Sequence, residues 1–341
     1  MKLSKLILLV VATISTAAPA FACDLCGCAV QPQPFLPETG FFLGATEQFT
    51  HYGTIQDNGH DTGNPAGQHL DSSITQFYLG NHVTKWLTLQ FNVPLISRSF
   101  QRTNETGIEA GTLAGIGDVS FLVSVVPLRK TIGDFTFLAQ LTGGVKFPTG
   151  ASSHIAEEAE EGHVHGAEEG EEHEHAEGEE EGEEAHEEAA VPESGIHGHD
   201  LALGSGSVDG IVGGRVDVQW KRLFFSGEVQ YAIRSTGDFD YRYANDLSWN
   251  AGLGVEIIST SETRLALSCN CSGETKGEDT FQGEKATDTS ATTVYVGPRI
   301  TATWRERLTA AVQFDFPVLR ENSGVQAVPD YRLRAMLGWQ F

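Results

Sequence analysis

Between residues 39 and 341, twelve short segments alternate apolar and polar side chains with a period of two. In the last of them, Tyr331, Leu333, Ala335, Leu337, Trp339 and Phe341 share one parity, and Arg332, Arg334, Met336, Gly338 and Gln340 share the other. Segments 87–95, 135–147, 247–257 and 294–304 sort in the same way. Successive side chains of an extended strand point to opposite faces, so each segment reads as a strand with one apolar and one polar face. The segments begin near residues 39, 71, 86, 116, 134, 207, 223, 243, 263, 291, 307 and 329. The first is the least regular, because Phe41, Phe42, Leu43 and Glu47 do not separate by parity.

The turns between segments alternate in length. Short ones fall at 83–85, 129–133, 221–222, 259–262 and 305–307. Long ones fall at 52–69, 98–114, 150–203, 234–242, 272–289 and 320–327. Outer-membrane barrels combine an even strand number with short periplasmic turns and long extracellular loops. The expected fold is therefore all-β, an antiparallel transmembrane β-barrel of about 12 strands, with both ends of the barrel chain periplasmic. A soluble β-sandwich also alternates. It accounts neither for the strict succession of short and long turns nor for Phe341 on the apolar face. Trp86, Trp220, Trp304 and Trp339 fall at the short-turn end and Trp249 near the other rim, where indole rings form interfacial girdles.

The N-terminus reads as an export signal. Lys2 and Lys5 precede the apolar run 6–15, and Ala20-Phe21-Ala22 supplies a cleavage site. No later run is apolar over the ~18 residues that a membrane helix needs. The expected organisation is a signal peptide at 1–22, a Cys/Pro-rich periplasmic segment at 23–37 and a barrel at 38–341. Outer-membrane lipid and the barrel assembly machinery are its expected partners.

Residues 151–200 stand apart. They hold nineteen acidic residues, eight histidines and no Lys or Arg. They account for most of the formal charge of −24, leaving 27 acidic and 22 basic residues elsewhere. With no basic patch to neutralise phosphates, nucleic acid is not an expected partner. The stretch lies in the third long turn and is expected to be a long, disordered extracellular loop, held open by self-repulsion. Its histidines are His154, His163, His165, His173, His175, His186, His197 and His199. Three H-x-H pairs, 163/165, 173/175 and 197/199, place two imidazoles on one side of an extended chain, a spacing suited to Zn²⁺, Cu²⁺ or Ni²⁺. A solvated acidic loop with incidental histidines is the plainer reading. Cys23, Cys26 and Cys28 form a second candidate, suited to Cu⁺ or Zn²⁺ as thiolates, to a disulfide, or at Cys23 to a lipid anchor. Gly27, standing where haem attachment needs His, excludes covalent haem. Cys269 and Cys271 fall on the lipid-facing parity.

The inward parity carries Asp118, Lys146, Arg215, Asp217, Glu228, Glu256, Arg264, Arg299, Asp315, Arg332 and Arg334. Such charges either form rings that tune a pore or pair and close it. No nucleophile motif is visible, so an enzyme is not expected.

Three short motifs occur in order: Gly115-Ile116-Gly117-Asp118, Lys146-Phe147-Pro148-Thr149-Gly150 and Leu203-Gly204-Ser205-Gly206-Ser207. Over residues 38–341 their succession resembles the outer-membrane transporter family associated with the meta-pathway of phenol degradation. That resemblance implies a barrel passing small solutes. The His/Glu insertion and the cysteine segment depart from the family's pattern and shift the expectation from an aromatic substrate toward metal. The expected function is thus a passive outer-membrane channel whose preferred cargo is a divalent transition metal captured by the loop. A channel for small organic solutes and a non-transporting metal-binding surface barrel are the alternatives.

Overall fold

The computed structural model describes residues 39–158 and 192–341. The signal sequence, Cys23, Cys26, Cys28, His163, His165, His173, His175 and His186 lie outside the described residues.

Twelve antiparallel strands close into one barrel. They are β1 Gly40–Asp57, β2 His69–Thr84, β3 Leu87–Asn104, β4 in two pieces (Gly107–Ile116 and Ser120–Ile132), β5 Phe135–Lys146, β6 Asp209–Trp220 and β7 Leu223–Ile233. The remainder are β8 Asp246–Ser259, β9 Thr263–Lys276, β10 Ala291–Trp304, β11 Leu308–Asn322 and β12 Val325–Gln340. Each strand pairs with its chain neighbours, and β12 closes on β1 with Phe42 opposite Gln340 and Phe49 opposite Leu333. Closure satisfies every strand edge, which the interior of a bilayer requires.

Parity sorts the side chains as the sequence pattern predicts. Phe77, Leu79, Phe91, Leu95, Leu141, Leu253, Leu267, Ile300, Leu333 and Leu337 face outward and are exposed, whereas Gln76, Gln90, Asn92, Gln140 and Gln230 are buried inside. Cys269, free and exposed, lies on the outward parity, with Cys271 partly covered. Glu47 is an exception. It sits on the outward parity of β1, where its carboxylate accepts hydrogen bonds from Ser73 Oγ (2.6 Å) and Thr75 Oγ1. This explains why the first segment fails to sort by hydropathy. At the short-turn end the tryptophan girdle is reinforced by cations. Lys85, Lys221 and Arg305 lie 5.4, 5.8 and 4.7 Å from the ring centroids of Trp86, Trp220 and Trp304.

The long-turn end departs from the expected boundaries. Strands β1 and β3 run for 18 residues each, against the roughly 9–11 that cross a bilayer. Much of the expected loops at 52–69, 98–114, 272–289 and 320–327 is therefore strand. Beyond them a small sheet of Tyr241–Arg242, Asp279–Phe281 and Glu284–Ala286 stands over the mouth.

The inward charges pair along the wall instead of lining an open ring. Arg332, fully buried, meets Asp315 (3.1 Å), Glu274 and Ser272 (2.8 Å), and lies 3.8 Å from the Tyr295 ring centroid. Arg334 also meets Asp315 at 2.8 Å. Arg215 meets Asp217 through two nitrogens (2.8 and 3.1 Å) and Glu228 at 3.5 Å. Arg264 contacts Glu306 at 3.1 Å, and buried Glu256 takes Ser259 Oγ at 2.8 Å. Arg332 pairs with Asp315 on the adjacent strand and reaches Glu274 and Ser272 three strands away, whereas Arg215 pairs with Asp217 on its own strand.

Candidate functional site at the mouth of the barrel

The third long loop corrects the sequence expectation. Its two described limbs, 150–158 and 192–206, do not stand out in the medium. They fold back onto the inner wall. The residues responsible are the few apolar ones in the loop: Ile155, Ile196 and Leu201 are wholly buried. Ile196 and Leu201 pack on Tyr52, Leu70 and Phe100; Leu203 packs on Ile74 and Ile96; and Ile155 packs with Ala202 on Tyr241 and Tyr243. Leu70, Ile74, Ile96 and Phe100 occupy the inward parity of β2 and β3, which is polar lower down. Burying an aliphatic side chain contributes ~1.5–3 kcal/mol each, which favours the docked limbs.

Two arginines of β3, four residues apart on that same inward face, hold one limb each. Arg98 Nη1 donates to the carbonyls of Asp200 and Ala202. Arg102 Nη2 donates to Glu157 Oε2 at 2.8 Å, and its Nε to Glu109 Oε2 at 2.9 Å. Gln68 Nε2 donates to the Glu193 carbonyl (2.9 Å) and its Oε1 accepts Gly195 N–H (3.0 Å). Neither arginine was legible as functional from parity alone, because segment 87–95 ends before both. The available signal was an apolar residue beside an arginine on a polar parity.

The three short motifs meet beneath the limbs. Strand β4 breaks at residues 117–119, and Asp118 turns into the break. One carboxylate oxygen accepts N–H from Thr149 (3.1 Å) and Gly150 (2.9 Å). The other accepts Ser205 N–H (2.9 Å), Ser205 Oγ–H (2.9 Å) and Lys146 Nζ–H (2.6 Å). Thr149 Oγ1 donates to the Gly117 carbonyl at 2.8 Å. Lys146 continues to Asp209 at 2.8 Å, and Arg234 joins Asp209 (2.9 Å) to Asp246. Gly150 and Gly204 touch through their backbones: a Cβ on Gly150 falls 2.5 Å from the Leu203 carbonyl, so only glycine permits this crossing.

Above the knot, the limbs bring histidines together. His197, His199 and Asp200 each offer a ligand atom within 4.8 Å of the others. His154 is not part of this group; it contacts Glu157 at 2.7 Å. The rings of His197 and His199 stack at 5.5 Å with an interplanar angle of 11°. Glu158, from the opposite limb, meets His199 Nδ1 at 2.9 Å and accepts its backbone N–H at 2.7 Å.

Burial alone pushes the His199 imidazole toward neutrality. The Asp200 and Glu158 carboxylates outweigh it and raise its pKa to about 10. Burial raises Glu158, but the facing His199 and His197 lower it to about 2. These are two views of one pair and are not summed. In the metal-free protein, the His199 contribution is complete below its ordinary 6.5 and is lost as pH rises through about 10. That of Glu158 is present above 4.5 and is lost as pH falls through about 2. Amide hydrogen exchange at residues 196–203, corrected for intrinsic rates, is therefore expected to be slowest between pH 4.5 and 6.5 and to accelerate toward pH 10.

This is the architecture of an outer-membrane β-barrel whose mouth is occupied by its own loop. No protein-family model matches the chain, and no curated protein matches it. Among solved structures, the COG4313 outer membrane channel from Pseudomonas putida F1 shares the fold with a TM-score of 0.60 at 16% identity, over 92% of this chain and 100% of that one. The transport unit of the autotransporter AIDA-I from Escherichia coli aligns at a TM-score of 0.42 and 10% identity, over 93% and 95%. The likeness to the first is one of fold.

Proposed function

We propose that the protein is an outer-membrane channel for small solutes, closed at its mouth by the third loop, with a divalent transition metal as its preferred cargo. The observation that carries this reading is the docking of both limbs of the His/Glu-rich segment on Arg98 and Arg102. That docking supports a reading in which undocking of the limbs is the step that admits solute. Glutamates raise the local cation concentration, and imidazoles select borderline metals.

The test uses proteoliposomes carrying an internal Zn²⁺ indicator. The wild-type protein is expected to admit Zn²⁺ in preference to a neutral sugar of similar size. Deletion of residues 154–199 is expected to admit both without preference. Zn²⁺ influx that is slow and unaltered by the deletion sinks the metal reading. The second reading, a channel for small organic solutes, is favoured by the apolar inner face of Leu70, Ile74, Ile96 and Phe100. It predicts entry of an aromatic solute in the same vesicles once the loop is removed.

A further inference from the structure

We infer that His197, His199 and Asp200 form a resident binding site for a Zn²⁺-like divalent cation at the base of the loop, with Glu158 and Asp288 as positioning residues. The site is distinct from the transient capture of metal by the histidines further along the loop, and does not require that metal be the cargo.

Several observations carry it. His197 Nδ1 is buried without a hydrogen-bond partner, in a residue 6% exposed, and points at Asp200 Oδ2 from 3.8 Å. His199 Nε2 lies 3.4 Å from Asp200 Oδ1. Donor atoms about 2.0–2.1 Å from one tetrahedral Zn²⁺ sit about 3.3 Å apart, and the three ligand atoms here lie within 4.8 Å of one another, so side-chain rotation is what closes them on a shared ion. Each imidazole also has a carboxylate on its far nitrogen. Glu158 Oε1 is 2.9 Å from His199 Nδ1, and Asp288 Oδ2 is 3.6 Å from His197 Nε2. A carboxylate on the far nitrogen fixes the ring and increases the basicity of the ligating nitrogen.

The charges also balance. A dication is matched by the two buried carboxylates, Asp200 and Glu158, with Asp288 half-exposed beside them. Of the nearby cations, Lys276 is taken up by Asp279 at 2.6 Å, Arg102 by Glu109 and Glu157, and Arg98 by the carbonyls of Asp200 and Ala202. Three protein ligands leave an open position, unlike the closed shell of a structural zinc site. Glu158 comes from the ascending limb, the histidines from the descending limb and Asp288 from the turn between β9 and β10. A bound ion therefore ties three segments across the mouth.

The test uses the full-length chain in detergent, with His163, His165, His173, His175 and His186 replaced by Asn and Cys23, Cys26 and Cys28 by Ser, and Zn²⁺ or Co²⁺ alone as probe. One equivalent of Zn²⁺ is expected to bind by calorimetry, and Co²⁺ to give the intense visible bands of low-symmetry nitrogen and oxygen coordination. His197→Asn and Asp200→Asn, checked for folding by the heat-dependent gel shift, are each expected to weaken binding at least tenfold. Glu158→Gln is expected to weaken it about tenfold and to shift the Co²⁺ bands, which a merely structural loss leaves in place. Absence of stoichiometric binding in this substituted background, or binding untouched by His197→Asn, overturns the site. Binding with no metal passage in vesicles upholds the site and removes only the cargo reading.

Discussion

Arg98→Ala is expected to convert a channel that is mostly shut into one that is mostly open, read as a rise in mean conductance in planar bilayers. The Arg98 guanidinium holds the descending limb through the carbonyls of Asp200 and Ala202. Hydrogen bonds from a charged donor contribute ~1.5–3 kcal/mol each. A loss of about 3 kcal/mol from the docked state shifts a two-state equilibrium by roughly 10²-fold. Arg98→Lys keeps the charge but not the planar fork, and is expected to fall between wild type and alanine. The apolar contacts of Leu201 and Leu203 remain in both variants, so the barrel stays folded. An Arg98→Ala protein as silent as wild type refutes the loop as gate.

The second large effect is on stability. Asp118→Ala removes the acceptor of five hydrogen bonds from three chain segments: Lys146, 149–150 and Ser205. Breaking one side of a buried ion pair costs about 3–5 kcal/mol. Asp209 still faces Lys146 at 2.8 Å and holds the loss toward the lower figure. The urea midpoint of the heat-dependent gel shift is expected to fall accordingly. Asp118→Asn keeps one acceptor oxygen but no charge and turns an NH2 toward the donors on the other side, so it is expected to recover only a minor part of the loss. Because the knot ties both limbs of the loop, Asp118→Ala is also expected to raise conductance; a stability loss with unchanged conductance separates the knot from the gate.

The strands and their lipid face were legible in the chain because a barrel wall is built from local information. Alternation with period two states which face meets lipid, and turn length states which end a hairpin occupies. Leu333, Leu337 and Phe341 point outward, as their parity requires. The inward charges were legible as inward, but not as paired. Arg332 finds Asp315 one strand away and Glu274 three strands away, and register across strands is set by closure of the whole barrel. The first strand was the least regular because Glu47 occupies a lipid-facing position, held by Ser73 and Thr75 on the next strand, and Phe42 is buried on the inward parity.

The loop was read correctly in composition and wrongly in placement at its ends. An acidic, histidine-rich stretch predicts an open, solvated chain, and self-repulsion argues the same way. Opposing it are three buried aliphatic residues, two arginines on the inner face of β3 and a carboxylate in a break of β4. The arginines and the carboxylate are distant from the loop in sequence. Their effect arises only when the barrel places Arg98 about a hundred residues of chain away from Asp200 yet in contact with it. By itself the chain determined a twelve-stranded wall, its orientation to lipid and the acidic, histidine-rich character of residues 151–200, because each of these depends on near neighbours. Only the tertiary structure decided that the limbs dock on the inner wall and that His197, His199 and Asp200 converge, because both depend on contacts that closure of the barrel creates.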